Sequence, residues 1–384
     1  MRLVGLQLVG VGPFEDLELS LDDTPWPTDE EAAERTAPSA RPMTVLFGAD
    51  GTGKTSLLAA LAQTRPGHAL PLLVAPPRHP RVGTVEAPEV AGLTARAPAP
   101  REPGTPSCVA HWLLSSDDPA RPHPLVVTGP NVSLEGETPE VTTARRREQA
   151  IFDRRAQAEG GFAFLSLSGA RWFSRAPTVL TAPERTLLRH DVRASATFDD
   201  PTRADLARET KQALAYATIA RALPHDGEGE RFVALEAAMR ETVDVLLSPF
   251  GLVYAGVDPR TLEPRMRADD GELIAFDALP RGARHLASFG ALGVRALAAA
   301  YPTREDLRQA EIVITIDDVE SQQEPAVLRD LTALLRRALP GAQWIVATSS
   351  HALAAACEPD QVIALRRAAL GGVELFDGPL AVIH

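Results

Sequence analysis

The chain has 384 residues, 45% hydrophobic and 23% charged, an ordinary globular composition with enough length to bury a core without disulfides or metal. Its net charge of −12 works against a broad nucleic-acid clamp and against an anionic membrane surface, leaving room only for a local basic groove. No run approaches the length of a transmembrane helix, and two distant cysteines, Cys108 and Cys357, exclude a disulfide framework and point to a reducing, cytoplasmic setting.

In chain order, residues 2–8 and 15–21 alternate as two strands joined at Gly12-Pro13, and the acidic, proline-bearing stretch 22–41 follows as a surface insertion. Met43 to Phe47 reads as a buried strand, followed by a glycine loop and a helix from about Gly53 to Ala62. Prolines crowd 65–106, a second insertion of loops and edge strands. Strands are predicted at 107–115, 124–128 and 161–167, and helices over about 201–222 and 230–247. Asp200-Pro201 supplies the cap and first position of the former. Leu235, Met239, Val243 and Leu246 form a core-facing stripe on the latter. Short strands near 252–256, 262–267 and 272–277 lead to a helix from about Gly282 to Tyr301. The remainder alternates: strand 311–316, helix 325–338, strand 342–347, helix 350–357, strand 361–366. That alternation predicts an α/β fold with a parallel sheet. Arg145-Arg146-Arg147 with Arg154-Arg155, and the pair Arg366-Arg367, read as solvated surface.

Gly48-Ala49-Asp50-Gly51-Thr52-Gly53-Lys54-Thr55 matches G-x-x-x-x-G-K-[ST] in full, with a hydrophobic strand entering and a helix leaving through Ser56-Leu57-Leu58. Glycines let backbone N–H groups turn towards phosphate, and the helix start adds its positive end. Lys54 is expected on the β- and γ-phosphates and Thr55 on Mg²⁺, with Ser56 completing the nucleotide contacts. Lys54 and Lys211 are the only lysines, so a lysine kept in this loop is kept for its compact ammonium. A second element, Ile312-Val313-Ile314-Thr315-Ile316-Asp317-Asp318, is a hydrophobic strand ending in two carboxylates. It places Asp317 beside Mg²⁺ at the sheet's C-terminal edge. Together the two elements predict a protein that binds a nucleoside triphosphate. No cluster of His and Cys has metal-ligand spacing, and no nucleophile elbow is present.

These residues resemble the RecF/SMC/OLD-type ATPases, phosphate-loop (AAA-family) proteins with ABC-like heads. Residues 1–21 resemble the hairpin that opens such heads. The loop keeps the spacing of Gly-x-Asn-Gly-x-Gly-Lys-[Ser/Thr], with Asp50 in the Asn place. The segment Asp317 to Pro325 keeps the spacing of Asp-Glu-Pro-Glu-x-His-x-His-Pro, and Leu328, Leu331, Leu334 and Leu335 mark the helix after it. Gln343 to Ser350 resembles the next strand, which usually closes Thr-His-Ser-Pro. Leu279-Pro280-Arg281-Gly282 lies where a Leu-Ser-x-Gly signature belongs, and Phe164 to Arg171 resembles a strand-plus-arginine segment between the lobes.

The resemblance implies a single head over 1–384. Its N-terminal half (1–182) carries the phosphate loop and an antiparallel β lobe, interrupted at 22–41 and 65–106. A short helical lobe (183–250) and a C-terminal half (251–384) with the signature-like segment and acidic strand complete it. It also implies ATP and Mg²⁺ as cofactors, Asp318 and Lys54 as catalytic groups, and a homodimer in which each nucleotide lies between one subunit's loop and the other's Gly282. No long coiled coil fits and no toprim-like nuclease domain follows, so effector chemistry is expected on a partner protein.

Three positions depart from the pattern. Asp318 replaces the water-orienting glutamate and is shorter by one C–C bond, roughly 1.5 Å, which implies slowed hydrolysis. Pro280 replaces the signature serine, leaving the Gly282 N–H and the Arg281 charge. Ser349 replaces the switch histidine, and His351 either substitutes for it or caps the next helix. The leading expectation is a slow ATPase that switches by ATP-dependent dimerisation. A hydrolysis-deficient, nucleotide-gated scaffold and a RecF-like DNA-repair ATPase are the alternatives. A small-molecule kinase is disfavoured by the long separation of loop and acidic strand.

Overall fold

The computed structural model describes residues 2–21, 40–64, 107–113, 125–128, 138–148, 163–180 (except 172, 176 and 179), 206–223, 229–368 and 371–378. Nearly all of the two insertions, the first part of the helical lobe up to residue 205, and Arg154-Arg155 lie outside the described residues.

The structure is α/β, organised on a six-stranded sheet in the order β13-β12-β3-β11-β10-β6. Its members are β3 (Met43–Gly48), β6 (Phe164–Leu167), β10 (Ile312–Ile316), β11 (Ala342–Thr348), β12 (Val362–Arg367) and β13 (Val373–Asp377). Every pairing is parallel except β12 with β13, which closes the edge antiparallel. A four-stranded antiparallel sheet, β2-β1-β4-β5, is built from β1 (Arg2–Val11), β2 (Phe14–Ser20), β4 (Ser107–Leu113) and β5 (Leu125–Thr128). A small third sheet runs β7-β8-β9 (Leu252–Val257, Pro264–Ala268, Leu273–Ala275).

The central strands are buried on both faces, as parallel strands covered on two sides must be, and their side chains divide with a period of two. Ile312, Ile314 and Ile316 of β10 and Trp344 and Val346 of β11 face a helical core. That core is closed by α3 (Leu206–Ala222), α4 (Gly229–Leu247), α5 (Arg281–Ala300), α6 (Pro325–Ala338) and α7 (His351–Ala356). Val313, Ile345 and Ala347 face the other way, into a core shared by α1 (Lys54–Gln63) and the four-stranded sheet. α5 is buried on nearly every face and approaches closely: a Cβ on Gly293 would lie 2.8 Å from Leu339 Cδ1 and 3.3 Å from Ile314 Cδ1.

Two polar clamps fix the layers. The buried Gln343 side chain on β11 accepts from Leu3 N (2.7 Å) and donates to Leu3 O (2.8 Å), tying β1 to the central sheet where β1 shifts register between Leu3 and Gly5. Lys211 is buried on α3 and pairs with Asp277 (2.6 Å) and Glu263 (3.0 Å), joining α3 to the chain around β8 and β9. Both lysines of the chain are therefore buried.

The predicted alternation of the last third matches the observed elements to within a residue or two. The structure adds α2 (139–148) and β13, and it corrects one surface assignment: Arg145 on α2 is buried and donates to Thr128 Oγ1 at 2.6 Å, while Arg146 and Arg147 are exposed. Gln343→Ala leaves the buried N–H and C=O of Leu3 without this partner. It should lower unfolding free energy by about 1–3 kcal/mol in a urea titration.

Candidate functional site

The site forms where strands of the central sheet end together. β3 delivers Gly48 beside Leu365 of β12, so closely that a Cβ there would meet Leu365 O at 2.7 Å. From Gly48 the loop turns through Gly51 and Gly53 with φ of 79° and 93°, the left-handed region that glycine enters freely. Gly53 is the N-cap of α1, and a Cβ on it would strike Pro13 Cγ at 2.5 Å and Phe14 Cζ at 2.7 Å. The β1–β2 turn thus presses directly on the loop. Gly12 of the same turn meets Ser56 in the first turn of α1, so Ser56 is a packing contact of the hairpin.

Within the loop, Thr52 Oγ1 donates to Ala49 O at 2.8 Å. The buried Lys54 ammonium donates to Gly48 O (2.6 Å) and Ala49 O (3.0 Å), a position over the loop from which it can meet phosphate. Ala49, Asp50 and Gly51 form an exposed rim. Arg367 is exposed, as the sequence reading has it, and reaches from the end of β12 to donate twice to Gly51 O (2.8 and 3.2 Å). Arg366 is half-buried, near Glu374 and over the Phe376 ring.

β10 ends at Asp317 and Asp318. Asp317 Oδ2 accepts a hydrogen bond from Thr55 Oγ1 at 2.7 Å, uniting the loop with the acidic strand. Its Oδ1 is buried and has no hydrogen-bond partner among the described residues. Burial pushes this carboxyl up from its ordinary range, partly offset by the Thr55 bond and the nearby cations. A hydroxyl and a carboxylate side by side, with one buried oxygen to spare, are a hard-oxygen set that fits Mg²⁺. Asp318 has φ 45°, and its carboxylate lies over Gly169, where a Cβ would stand 2.5 Å from Oδ2. Although the residue is exposed, packing around its carboxyl and the charge of Glu320 raise it, while Lys54 and Arg171 pull it down.

Arg171 fixes this corner. Its guanidinium donates to Ser168 O (2.7 Å), to Asp318 O (2.7 Å) and to Asp317 O, and it lies 5.4 Å from the centroid of the Phe289 ring. Burial lowers its pKa to about 10 against the opposing pull of Asp317, Asp318 and Glu320. Glu320 was not singled out from sequence, yet its Oε1 accepts from both Ser349 N (2.7 Å) and Ser349 Oγ (2.9 Å) at the end of β11. The signal in the sequence was its place three residues after Asp317, in the acidic stretch that ends the strand.

The loop, Thr55, Asp317, Asp318 and Lys54 are therefore gathered at one sheet edge. His351 begins α7 and meets the Phe47 ring edge-on at 4.9 Å, while Ser350 caps the helix by accepting from Leu353 N. Gly282 lies elsewhere, in the first turn of α5, buried against Gln322 O, Gln323 and Phe250. Pro280 and Arg281 are the exposed members of that segment, and Arg281 donates to Gln322 Oε1 at 3.3 Å. Among the described residues no helix is long and apolar enough to cross a membrane.

No family model matches the chain, and no curated protein matches it. Solved structures with similar folds include an SMC head domain from Thermotoga maritima (14% identity, TM-score 0.46, 98% of this chain and 99% of that one). An SmcHead bound to the C-winged helix domain of ScpA is similar at 14% identity and TM-score 0.49, over 100% of both chains. An Smc head with an extended coiled coil, bound to the C-terminal domain of ScpA derived from Pyrococcus furiosus, is similar at 15% identity and TM-score 0.47, over 98% and 96%. The chemistry assigned to this chain rests on its own residues.

One titration is built into the site's support. His285 on α5 is buried between Phe173 (5.0 Å between centroids) and Phe289 (6.1 Å). Burial first, then Arg171 and Arg284, lower its pKa to about 3. The unfolded chain binds this proton near the ordinary imidazole value of 6.5 and the native one does not until about 3. Stability is therefore lost as pH falls through that window, by about 1 kcal/mol per pH unit. In urea titrations at pH 7, 6 and 5, His285→Phe should gain stability relative to wild type towards acid. A difference independent of pH would contradict this.

Proposed function

We propose that this chain binds Mg·ATP at the β3–β10 edge and hydrolyses it slowly, as an ATPase of the ABC-like head class. Two copies pairing head to tail on ATP would form its switch. The observation that carries the reading is the Thr55 Oγ1–Asp317 Oδ2 contact, which joins a full phosphate-loop motif to a buried acid with a spare oxygen. Backbone N–H groups of the loop and the start of α1 supply the phosphate cradle. The Lys54 ammonium exchanges two loop carbonyls for phosphate oxygens. Bound Mg²⁺, held by Thr55 and Asp317, neutralises charge on the β- and γ-phosphates. The exposed loop rim leaves a face open to a second copy, and Arg281 at the start of α5 offers that copy a positive charge. An effector protein in the cytoplasm would carry the output.

A second reading, a nucleotide-gated scaffold with negligible turnover, is favoured by Asp318, whose carboxylate is shorter than glutamate and leans on Gly169. Turnover and molar mass separate the two. The primary reading predicts steady-state hydrolysis below about 1 s⁻¹, a doubling of mass by light scattering on adding Mg·ATP, and loss of both in Lys54→Ala. With two charge-assisted bonds of ~1.5 kcal/mol each removed, ATP affinity in that variant should fall roughly 100-fold. Mass doubling without turnover would select the scaffold, and no ATP binding would contradict both.

A further inference from the structure

We propose that Glu320, and not Asp318, is the carboxylate that orients and deprotonates the attacking water, with Ser349 as its positioning residue. The inference rests on the ATPase reading of the site. Strand order carries it. The sheet runs β3-β11-β10-β6, with the phosphate loop leaving β3. Asp318 Oδ2 lies over Gly169, two residues past β6, at the far side of β10 from the loop's own strand. Glu320 lies instead on the β11 side, held by the N–H and hydroxyl of Ser349. Thr348 is in register with Phe47, so Ser349 stands beside Gly48, the first residue of the loop. Neighbouring strands are only ~4.8 Å apart, which brings the Glu320 carboxylate to the strand that adjoins the nucleotide.

Its two oxygens have different tasks. Oε1 takes both Ser349 donors, fixing the carboxylate. Oε2 is buried and has no hydrogen-bond partner among the described residues, so the acceptor capacity left on the carboxylate sits on this oxygen. Main-chain bonds hold the segment: Val319 N donates to Ala347 O (3.0 Å) and Ser321 N to Asp318 O (3.0 Å). Arg171 grips the Asp317 and Asp318 carbonyls just before it. In the step itself, the water oxygen bonds to the γ-phosphorus. The bond from that phosphorus to the ADP oxygen breaks with its electron pair on ADP, and the water's proton passes to Glu320 and then to solvent.

The test compares Glu320→Gln, Asp318→Asn and Ser349→Ala for kcat, for ATP Kd by calorimetry in Mg²⁺, and for melting temperature. Glutamine keeps an oxygen for Ser349 but cannot take the proton. Glu320→Gln should lose roughly 100-fold or more in kcat with Kd within about twofold of wild type. Asp318→Asn should lose less than about tenfold. Ser349→Ala should lower kcat with Kd unchanged, a split that a merely structural role would not produce. Wild-type kcat in Glu320→Gln, or an equal loss in Asp318→Asn, would overturn the assignment while leaving the ATPase reading intact. A wild type that binds ATP without hydrolysing it would also overturn it, and a wild type that binds no ATP would overturn the site reading as well.

Discussion

A hydroxyl and a carboxylate separated by 262 positions in the chain meet at 2.7 Å, and the rest of the fold is arranged so that they do. Thr55 is held by the first turn of α1, whose direction is set by Gly53 and by the hairpin turn packed on it. Asp317 is held by β10, separated from β3 only by β11. Neither residue has much freedom, because each follows a strand buried on both faces. A carboxylate in so dry a place is costly to ionise. Thr55, Arg171 and Lys54 offset that cost, and Mg²⁺ would offset more.

Arg171 is the second constraint. A half-buried guanidinium bonded to main-chain carbonyls on both β6 and β10 extensions stiffens the turn that carries Asp317, Asp318 and Glu320. It also lies against Phe289 and near His285 on α5, the helix whose first turn bears Arg281 and Gly282. The loop 321–323 closes the circuit, since Gln323 Nε2 donates to Gly282 O at 3.3 Å and Gln322 accepts from Arg281. The acidic corner and the signature-like segment are thus parts of one packed unit.

Much of this was legible in the sequence because its causes are local. A phosphate loop needs glycines at fixed offsets and a lysine and threonine next to them, and all are contiguous. The strand before Asp317 is a run of β-branched residues that reads as a buried parallel strand, and the helices show their apolar spacing. What escaped reading depends on which strands become neighbours. Arg367 reaches Gly51 only because β12 lies beside β3, and Glu320 meets Ser349 only because β10 lies beside β11. Arg145 looked like solvated charge because its partner, Thr128, belongs to a separate element, β5. Lys211 was conspicuous by its rarity, but its carboxylate partners become neighbours only after α3 packs on the third sheet.

The proposed Mg·ATP site depends most directly on Thr55 and Asp317 acting together. Calorimetric titration of ATP, with Mg²⁺ and again with a chelator, into wild type, Thr55→Val and Asp317→Asn measures this. Wild type should bind at least about tenfold more tightly with Mg²⁺ than without. In both variants that difference should collapse while binding in chelator persists. A Mg²⁺ gain preserved in both variants would contradict the account.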